Sequence, residues 1–176
     1  MGLFAYSLSI RRTPDMDWDT LRPRLEMFLY GKEVAVTDLT QDLPGYGMIS
    51  FSPDSGAAMP NLAQRISKMT GDYVVNAQIV DSDFALLQLY YNGEELEECY
   101  IGRIYLENWL QCRVKKPKLS LWMALLQDTA NKSEYRKALR GMSVFVEDQL
   151  RVISDLTGLP VFDDALLSAA PEYRFF

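Results

Sequence analysis

The sequence predicts an α+β fold: one mostly antiparallel sheet, helices on one face of it, and a C-terminal helical layer. A three-stranded meander is expected at about residues 73–101, where strand-like segments alternate with short turns. Strand and helix patterns precede it, and apolar residues recur at helical spacing after it. At 176 residues the chain suits one domain, 1–176, with a sheet-rich part (1–101), a linker (102–118) and a helical part (119–170).

The meander has the clearest signals in the chain. A polar turn at Asp81–Asp83 separates its first two strands, and Asn92–Gly93, the dipeptide best suited to a type I′ turn, separates the last two. The middle strand is apolar on both faces, so it is expected to be central and covered. The third strand is rich in glutamate, which suits an edge, and Glu95 and Glu97 are expected on the same face. The predicted strands are Tyr73–Val80, Phe84–Tyr91 and Glu94–Ile101.

Two strands and a helix are expected before residue 52. Leu3–Ile10 alternates like a strand, and apolar residues from Trp18 onward recur at helical spacing. Pro23 leaves two alternatives for this helix, a start near Arg22 or an initial turn at Asp17 that is kinked against it. The other predictions here are a strand at Glu33–Asp38, a loop at Leu39–Gly47, a short strand at Met48–Phe51, and a helix over Leu62–Met69 that ends at Gly71.

The C-terminal part predicts a layer of helices. Tyr105–Trp109 fits no element clearly, and Arg113–Lys118 is interpreted as a basic linker. Ser120 and Asn131 are suited to cap two helices. A third helix is expected to end at Gly158, with Phe145, Val146 and Leu150 facing inward and Glu147 and Asp148 facing outward. A short helix at Asp163–Ala169 is expected after it. The tail, Tyr173–Phe176, is expected to be a strand end or an apolar anchor.

Charge is unevenly distributed along the chain. The net charge of −6 argues against general nucleic-acid binding. Residues 103–140 contain nine Lys and Arg against three Asp and Glu, a net charge of +6, which leaves −12 for the rest. This predicts either a binding face or two solvated faces of different charge. The N-terminal apolar run is too short for export or a bilayer, so we expect a cytoplasmic protein without a membrane partner, in which Cys99 and Cys112 are thiols.

The chain contains no histidine, which excludes Ser-His-Asp catalysis, Cys-His catalysis and His-ligated zinc within one chain. We expect no cofactor. The best enzymatic candidate is the turn formed by Asp81, Ser82 and Asp83, whose two carboxylates could hold Mg²⁺ or Mn²⁺ against a diphosphate. A hairpin turn favours the same residue types, however, and no Gly-rich phosphate loop precedes them.

Two charged clusters are candidate binding residues. An acidic group on the third meander strand could supply a paired acid and base or bind a basic partner, and its structural alternative is a solvated edge strand. A basic group near Trp109 and Trp122 could bind phosphate or a single strand, and its structural alternative is a linker before a helix. The acidic group is Glu94, Glu95, Glu97 and Glu98, and the basic group is Arg113, Lys115, Lys116 and Lys118.

Two segments, Val80–Glu98 and Phe145–Pro160, resemble a loose group of uncharacterised bacterial proteins. In that group a hairpin of the form DSD…YxNG precedes a helix of the form FxEDxL and a C-terminal aromatic strand, to which Tyr173–Phe176 is similar. The shared motifs are structural, so the resemblance implies no catalytic residues. By analogy it suggests an immunity or adaptor protein.

Three functional hypotheses follow. The first is a non-catalytic module that binds another protein, a basic one, through the acidic residues around Glu94–Glu98. The alternative is a divalent-metal-dependent enzyme or a nucleotide- or ligand-binding domain that uses Asp81 and Asp83. The third is a homo-oligomer that assembles through exposed apolar residues.

Overall fold

A computed structural model describes residues 5–11, 17–29, 46–51, 59–111, 113–128, 130–141 and 145–162. The strands are β1 (Ala5–Arg11), β2 (Tyr46–Phe51), β3 (Tyr73–Val80), β4 (Phe84–Tyr91) and β5 (Glu94–Ile101). The helices are α1 (Trp18–Leu29), α2 (Met59–Thr70), α3 (Arg103–Leu110), α4 (Leu119–Trp122, continued by a 3-10 turn at Met123–Leu125), α5 (Lys132–Arg140) and α6 (Val146–Thr157).

The strands form one antiparallel sheet in the order β2-β1-β3-β4-β5, which confirms the predicted α+β class and the meander. Asn92 and Gly93 both have positive φ, 48° and 85°, as a type I′ turn requires. The strand β4 lies between β3 and β5, and β5 is an edge of the sheet, as its glutamates indicate.

Both faces of the sheet are covered by helices. On one face the core contains Leu8, Ile10, Val74 and Tyr90 from the strands, packed with Leu21, Leu25, Leu62, Ala63 and Ile66 from α1 and α2. On the other face the core contains Val75, Ala77, Leu87, Leu89 and Cys99, packed with residues of the C-terminal layer that include Trp122, Tyr135, Leu150 and Ile153. Each fully buried large side chain contributes roughly 1.5–3 kcal/mol of transfer free energy, so the two cores together hold the sheet between the helices.

Helix ends agree with the predicted capping residues in two cases and differ in a third: α4 begins at Leu119 after Lys118, so Ser120 lies inside the helix and is not its cap. The Oδ1 atom of Asn131 accepts hydrogen bonds from the backbone N–H groups of Ser133, at 3.0 Å, and Glu134, at 3.3 Å. Gly158 ends α6 with φ +69°, the left-handed conformation that glycine adopts without strain. The helix α1 begins at Trp18 and contains Pro23, so the alternative with a start near Arg22 is wrong.

Several predictions differ from the structure. The linker predicted at 102–118 is wrong over Arg103–Leu110, which is the helix α3; its buried side includes Leu106 but not Trp109 or Leu110, so its periodicity is weak. Phe145 was expected inside but is 58% exposed, because it holds the extended position before α6. The strand β2 begins at Tyr46, inside the predicted loop. The predictions for 33–38, 163–169 and 173–176 lie outside the described residues.

Candidate binding surface on strand β5

A β-bulge in β5 decides where its glutamates point. Leu89 pairs with Glu97, whereas its neighbour Tyr90 pairs with Glu95, so Leu96 is an extra residue in β5. Because opposed residues share a face, Glu95 lies with Tyr90 on the face covered by α1 and α2, and Glu97 lies with Leu89 on the opposite face. The expectation that Glu95 and Glu97 share a face is therefore wrong.

On the α1–α2 face, two tyrosines interact with two of the carboxylates. The Tyr90 hydroxyl donates a hydrogen bond to Oε2 of Glu95 at 3.0 Å. Burial, followed by the neighbouring Glu98 carboxylate, raises the pKa of Tyr100 to about 12. Burial, followed by Glu95 and then Glu98, raises the pKa of Tyr90 above its ordinary value. Because each tyrosine feels both carboxylates, these four side chains form one cluster.

The outward side of this cluster is open to solvent. Glu94 and Glu95 are exposed and Glu98 is half-buried. Among the described residues, the Lys and Arg side chains that form ion pairs do so with other carboxylates. None of them forms an ion pair with Glu94, Glu95 or Glu98. We call Glu94, Glu95 and Glu98 the acidic β5 surface. Carboxylates are acceptors for ammonium or guanidinium groups, and that of Glu95 is oriented by its hydrogen bond to Tyr90.

A buried amide pair lies directly behind this surface. Asn76, Gln88 and Glu98 are opposite one another on β3, β4 and β5. The Asn76 Nδ2 atom donates a hydrogen bond to Oε1 of Gln88 at 2.8 Å, and both residues are buried. This pair could not be predicted from the sequence, because only the register of β3 against β4 brings Asn76 opposite Gln88. The pair extends the polar row from the acidic β5 surface into the sheet.

Glu97 was predicted to belong to the exposed acidic group of β5, but its side chain is buried. Its side chain is 1% exposed, and its carboxylate lies 3.3 Å from Nζ of Lys115 and 3.7 Å from Nζ of Lys118. Glu97, from the predicted acidic group, thus pairs with Lys115 and Lys118 from the predicted basic group. The other two basic residues, Arg113 and Lys116, are exposed. Alternation alone could not show this, since the bulge turns Glu97 inward.

The turn at Asp81–Asp83 is occupied by a structural contact. Asp81 and Ser82 both have positive φ, 52° and 57°. The Ser82 carbonyl oxygen accepts the backbone N–H of Val146 at 3.1 Å, and its hydroxyl donates to Glu147, which is buried although it was expected outside. The turn therefore docks the β3–β4 hairpin against the first turn of α6. Asp81 and Asp83 are exposed, and among the described residues no group of three or more Asp, Glu, Cys or His side chains is placed to hold a metal ion.

The tryptophans and cysteines differ in environment. Trp122 is fully buried, as expected of a core residue, so the basic group has Trp109, 73% exposed, as its neighbouring aromatic surface. Cys99 is a buried thiol that donates to the Leu139 carbonyl oxygen at 3.7 Å. Cys112 lies outside the described residues.

Comparison with known proteins gives no match to a family model, a curated protein or a solved structure. The resemblance to the bacterial group therefore stays a prediction. Within the described ranges, no helix combines the length and apolar character needed to cross a membrane.

Proposed function

We propose that this protein is a non-catalytic binding module of the immunity or adaptor kind, which recognises a basic segment of another protein through the acidic β5 surface. The observation that supports this most is the cluster in which the Tyr90 hydroxyl holds Glu95 by a hydrogen bond and Tyr100 lies under the influence of Glu98. Carboxylates fixed in this way lose less side-chain entropy when a cationic partner binds. Glu94, opposite Tyr91 and therefore on the other face of β5, adds a third, exposed negative charge at the same edge of the sheet.

The position of the surface also favours protein binding. The strand β5 is an edge of the sheet, so a partner can approach it from the side. Tyr91, opposite Glu94 on β4, is 42% exposed and offers an aromatic contact beside that acid. Clustered charge of one sign increases the rate of encounter with an oppositely charged partner and makes that encounter sensitive to salt.

The metal-dependent alternative has weaker support. Asp81 and Asp83 are exposed on a turn whose central residue, Ser82, is bound to α6. Two exposed carboxylates without a third ligand make a poor Mg²⁺ site unless a substrate completes it. We therefore place binding through β5 ahead of catalysis, and we propose the cytoplasm as its location.

The test is a titration with a short fluorescent peptide rich in Arg and Lys, followed by anisotropy at low salt. Glu94→Lys/Glu95→Lys should weaken binding about tenfold, equivalent to about 1.4 kcal/mol. The matched control is Asp128→Lys/Asp155→Lys, which makes the same change in net charge at two exposed residues on the C-terminal layer. An equal loss in the control variant would show that only net charge matters, and would contradict the proposal.

A further inference from the structure

Residues 113–118, which we call the basic strap, have no regular secondary structure but are anchored at three points. The Val114 N–H donates to Oε1 of Glu107 at 3.0 Å. Pro117 is buried, and Glu97 lies between the ammonium groups of Lys115 and Lys118. Ordering a chain segment costs conformational entropy, so these anchors hold the strap in one conformation that a plain linker would not need.

The fixed strap leaves its remaining charges facing solvent. Arg113 and Lys116 are exposed, whereas Lys115 and Lys118 are directed to Glu97 while keeping 66% and 62% of their side chains exposed. The end of α3 lies just before the strap and exposes two large apolar side chains, Trp109 at 73% and Leu110 at 51%. The ring of Trp109 also packs against that of Phe84, with a distance of 6.4 Å between the two ring centroids.

We propose that Trp109, Leu110, Arg113 and Lys116 form a second binding surface, distinct from the acidic β5 surface, that takes an acidic segment of a partner protein. The partner's carboxylates pair with Arg113 and Lys116, and an apolar side chain of the partner packs on Trp109 and Leu110. Exposed Trp and Arg side chains are the residue types that contribute most at the centres of protein interfaces.

The surroundings favour a short acidic peptide over a longer polyanion. Single-stranded nucleic acid is bound by stacking successive bases on several aromatic side chains along a basic groove. Among the described residues Trp109 is the exposed aromatic side chain next to the strap, and the chain outside residues 103–140 has a net charge of −12. A long strand or an anionic membrane that extended past the strap would meet these negative charges, whereas a short segment avoids them.

The experiment is an anisotropy titration of the intact chain with a short fluorescent peptide of Asp, Glu and Leu. Arg113→Glu/Lys116→Glu should weaken binding about tenfold and Trp109→Ala about fivefold, that is about 1.4 and about 1 kcal/mol. The control, Lys132→Glu/Arg136→Glu, makes the same charge change at exposed residues of α5 and should leave binding within about twofold. Circular dichroism of each variant establishes that it is folded.

Three outcomes would overturn the proposal: no saturable binding of the acidic peptide, an equal loss in the α5 control, or tighter binding of oligothymidine or phosphatidylserine vesicles than of the peptide. The result is independent of the proposed function, because Glu94→Lys/Glu95→Lys should weaken binding of the basic peptide without weakening binding of the acidic peptide. A chain that bound the acidic peptide and not the basic one would support this inference and contradict the other.

Discussion

The carboxylate of Glu97 on β5 lies 3.3 Å from the ammonium group of Lys115 in the basic strap, although Glu97 itself is almost completely buried. Neither carboxylate oxygen of Glu97 forms a hydrogen bond with a described residue. Among the described residues, Lys115 and Lys118 are therefore the groups that balance the charge of Glu97. The two lysines remain largely in water. Removing the acid and removing the lysines should therefore have opposite consequences for stability.

We predict that Lys115→Met/Lys118→Met lowers the free energy of unfolding by about 2 kcal/mol or more, because it leaves a buried carboxylate without a countercharge. Glu97→Met should be neutral or stabilising, since it replaces a buried ion by an apolar side chain of similar size and leaves the lysines solvated. Urea denaturation of both variants measures the difference. Equal losses in the two would show that the ion pair itself stabilises the fold.

Gly102 and Gly71 give a matched pair for backbone strain. Both have positive φ, +70° and +67°, but a Cβ atom on Gly102 would collide with the Asp83 carbonyl oxygen, whereas one on Gly71 would meet nothing within 4 Å. Gly71→Ala should cost about 1 kcal/mol for the left-handed conformation alone. Gly102→Ala should cost about 3 kcal/mol, because α3 must also move away from the β3–β4 turn. Similar thermal unfolding midpoints for the two variants would contradict this.

The buried amide pair Asn76–Gln88 should behave as a coupled unit. Asn76→Leu or Gln88→Leu alone leaves the other amide buried without its partner, a loss of about 1–3 kcal/mol. The double variant should recover part of that loss, because no polar group remains unpaired. A double-mutant cycle from chemical denaturation gives the coupling energy, and strictly additive losses would show that the hydrogen bond between them is unimportant.

The tyrosine–carboxylate cluster predicts a loss of stability in alkali. The pKa of Tyr100 is raised from 10.0 to about 12, mainly by burial and then by Glu98. Between these values the unfolded chain releases a proton that the folded chain keeps, so the free energy of unfolding falls as pH rises from about 10 to about 12. Glu98→Gln should lower the pKa of Tyr100 and leave it above the ordinary value, because burial remains. Phenolate absorbance during a pH titration measures it, with Glu134→Gln, an exposed acid on α5, as the unchanged control.

The sequence predicted what local patterns encode. The meander follows from alternation and from Asn92–Gly93, and the start of α5 follows from Asn131, since in both cases residues close in sequence determine the structure. The burial of Glu97 could not be predicted in this way. It depends on one extra residue in β5, Leu96, and on lysines that reach the strand only through the tertiary fold.

The candidate site was predicted in composition but not in geometry. Glu94, Glu95 and Glu98 were chosen correctly as surface or partly exposed acids, whereas Tyr90 and Tyr100, which interact with two of them, look like ordinary core residues in an alternating strand. Trp109 shows a similar problem. The sequence offered both Trp109 and Trp122 as aromatic neighbours of the basic group, and only the fold shows that Trp109 is exposed and Trp122 is buried.

Affinity capture of the tagged chain from a lysate of its own cells, at low and at high salt, tests the central claim most directly. Mass spectrometry should identify one stoichiometric partner with a basic segment that is retained at low salt, released at high salt, and lost with Glu94→Lys/Glu95→Lys but not with Asp128→Lys/Asp155→Lys. Retention of the same partner by Glu94→Lys/Glu95→Lys, or no stoichiometric partner at either salt concentration, would contradict binding through the acidic β5 surface.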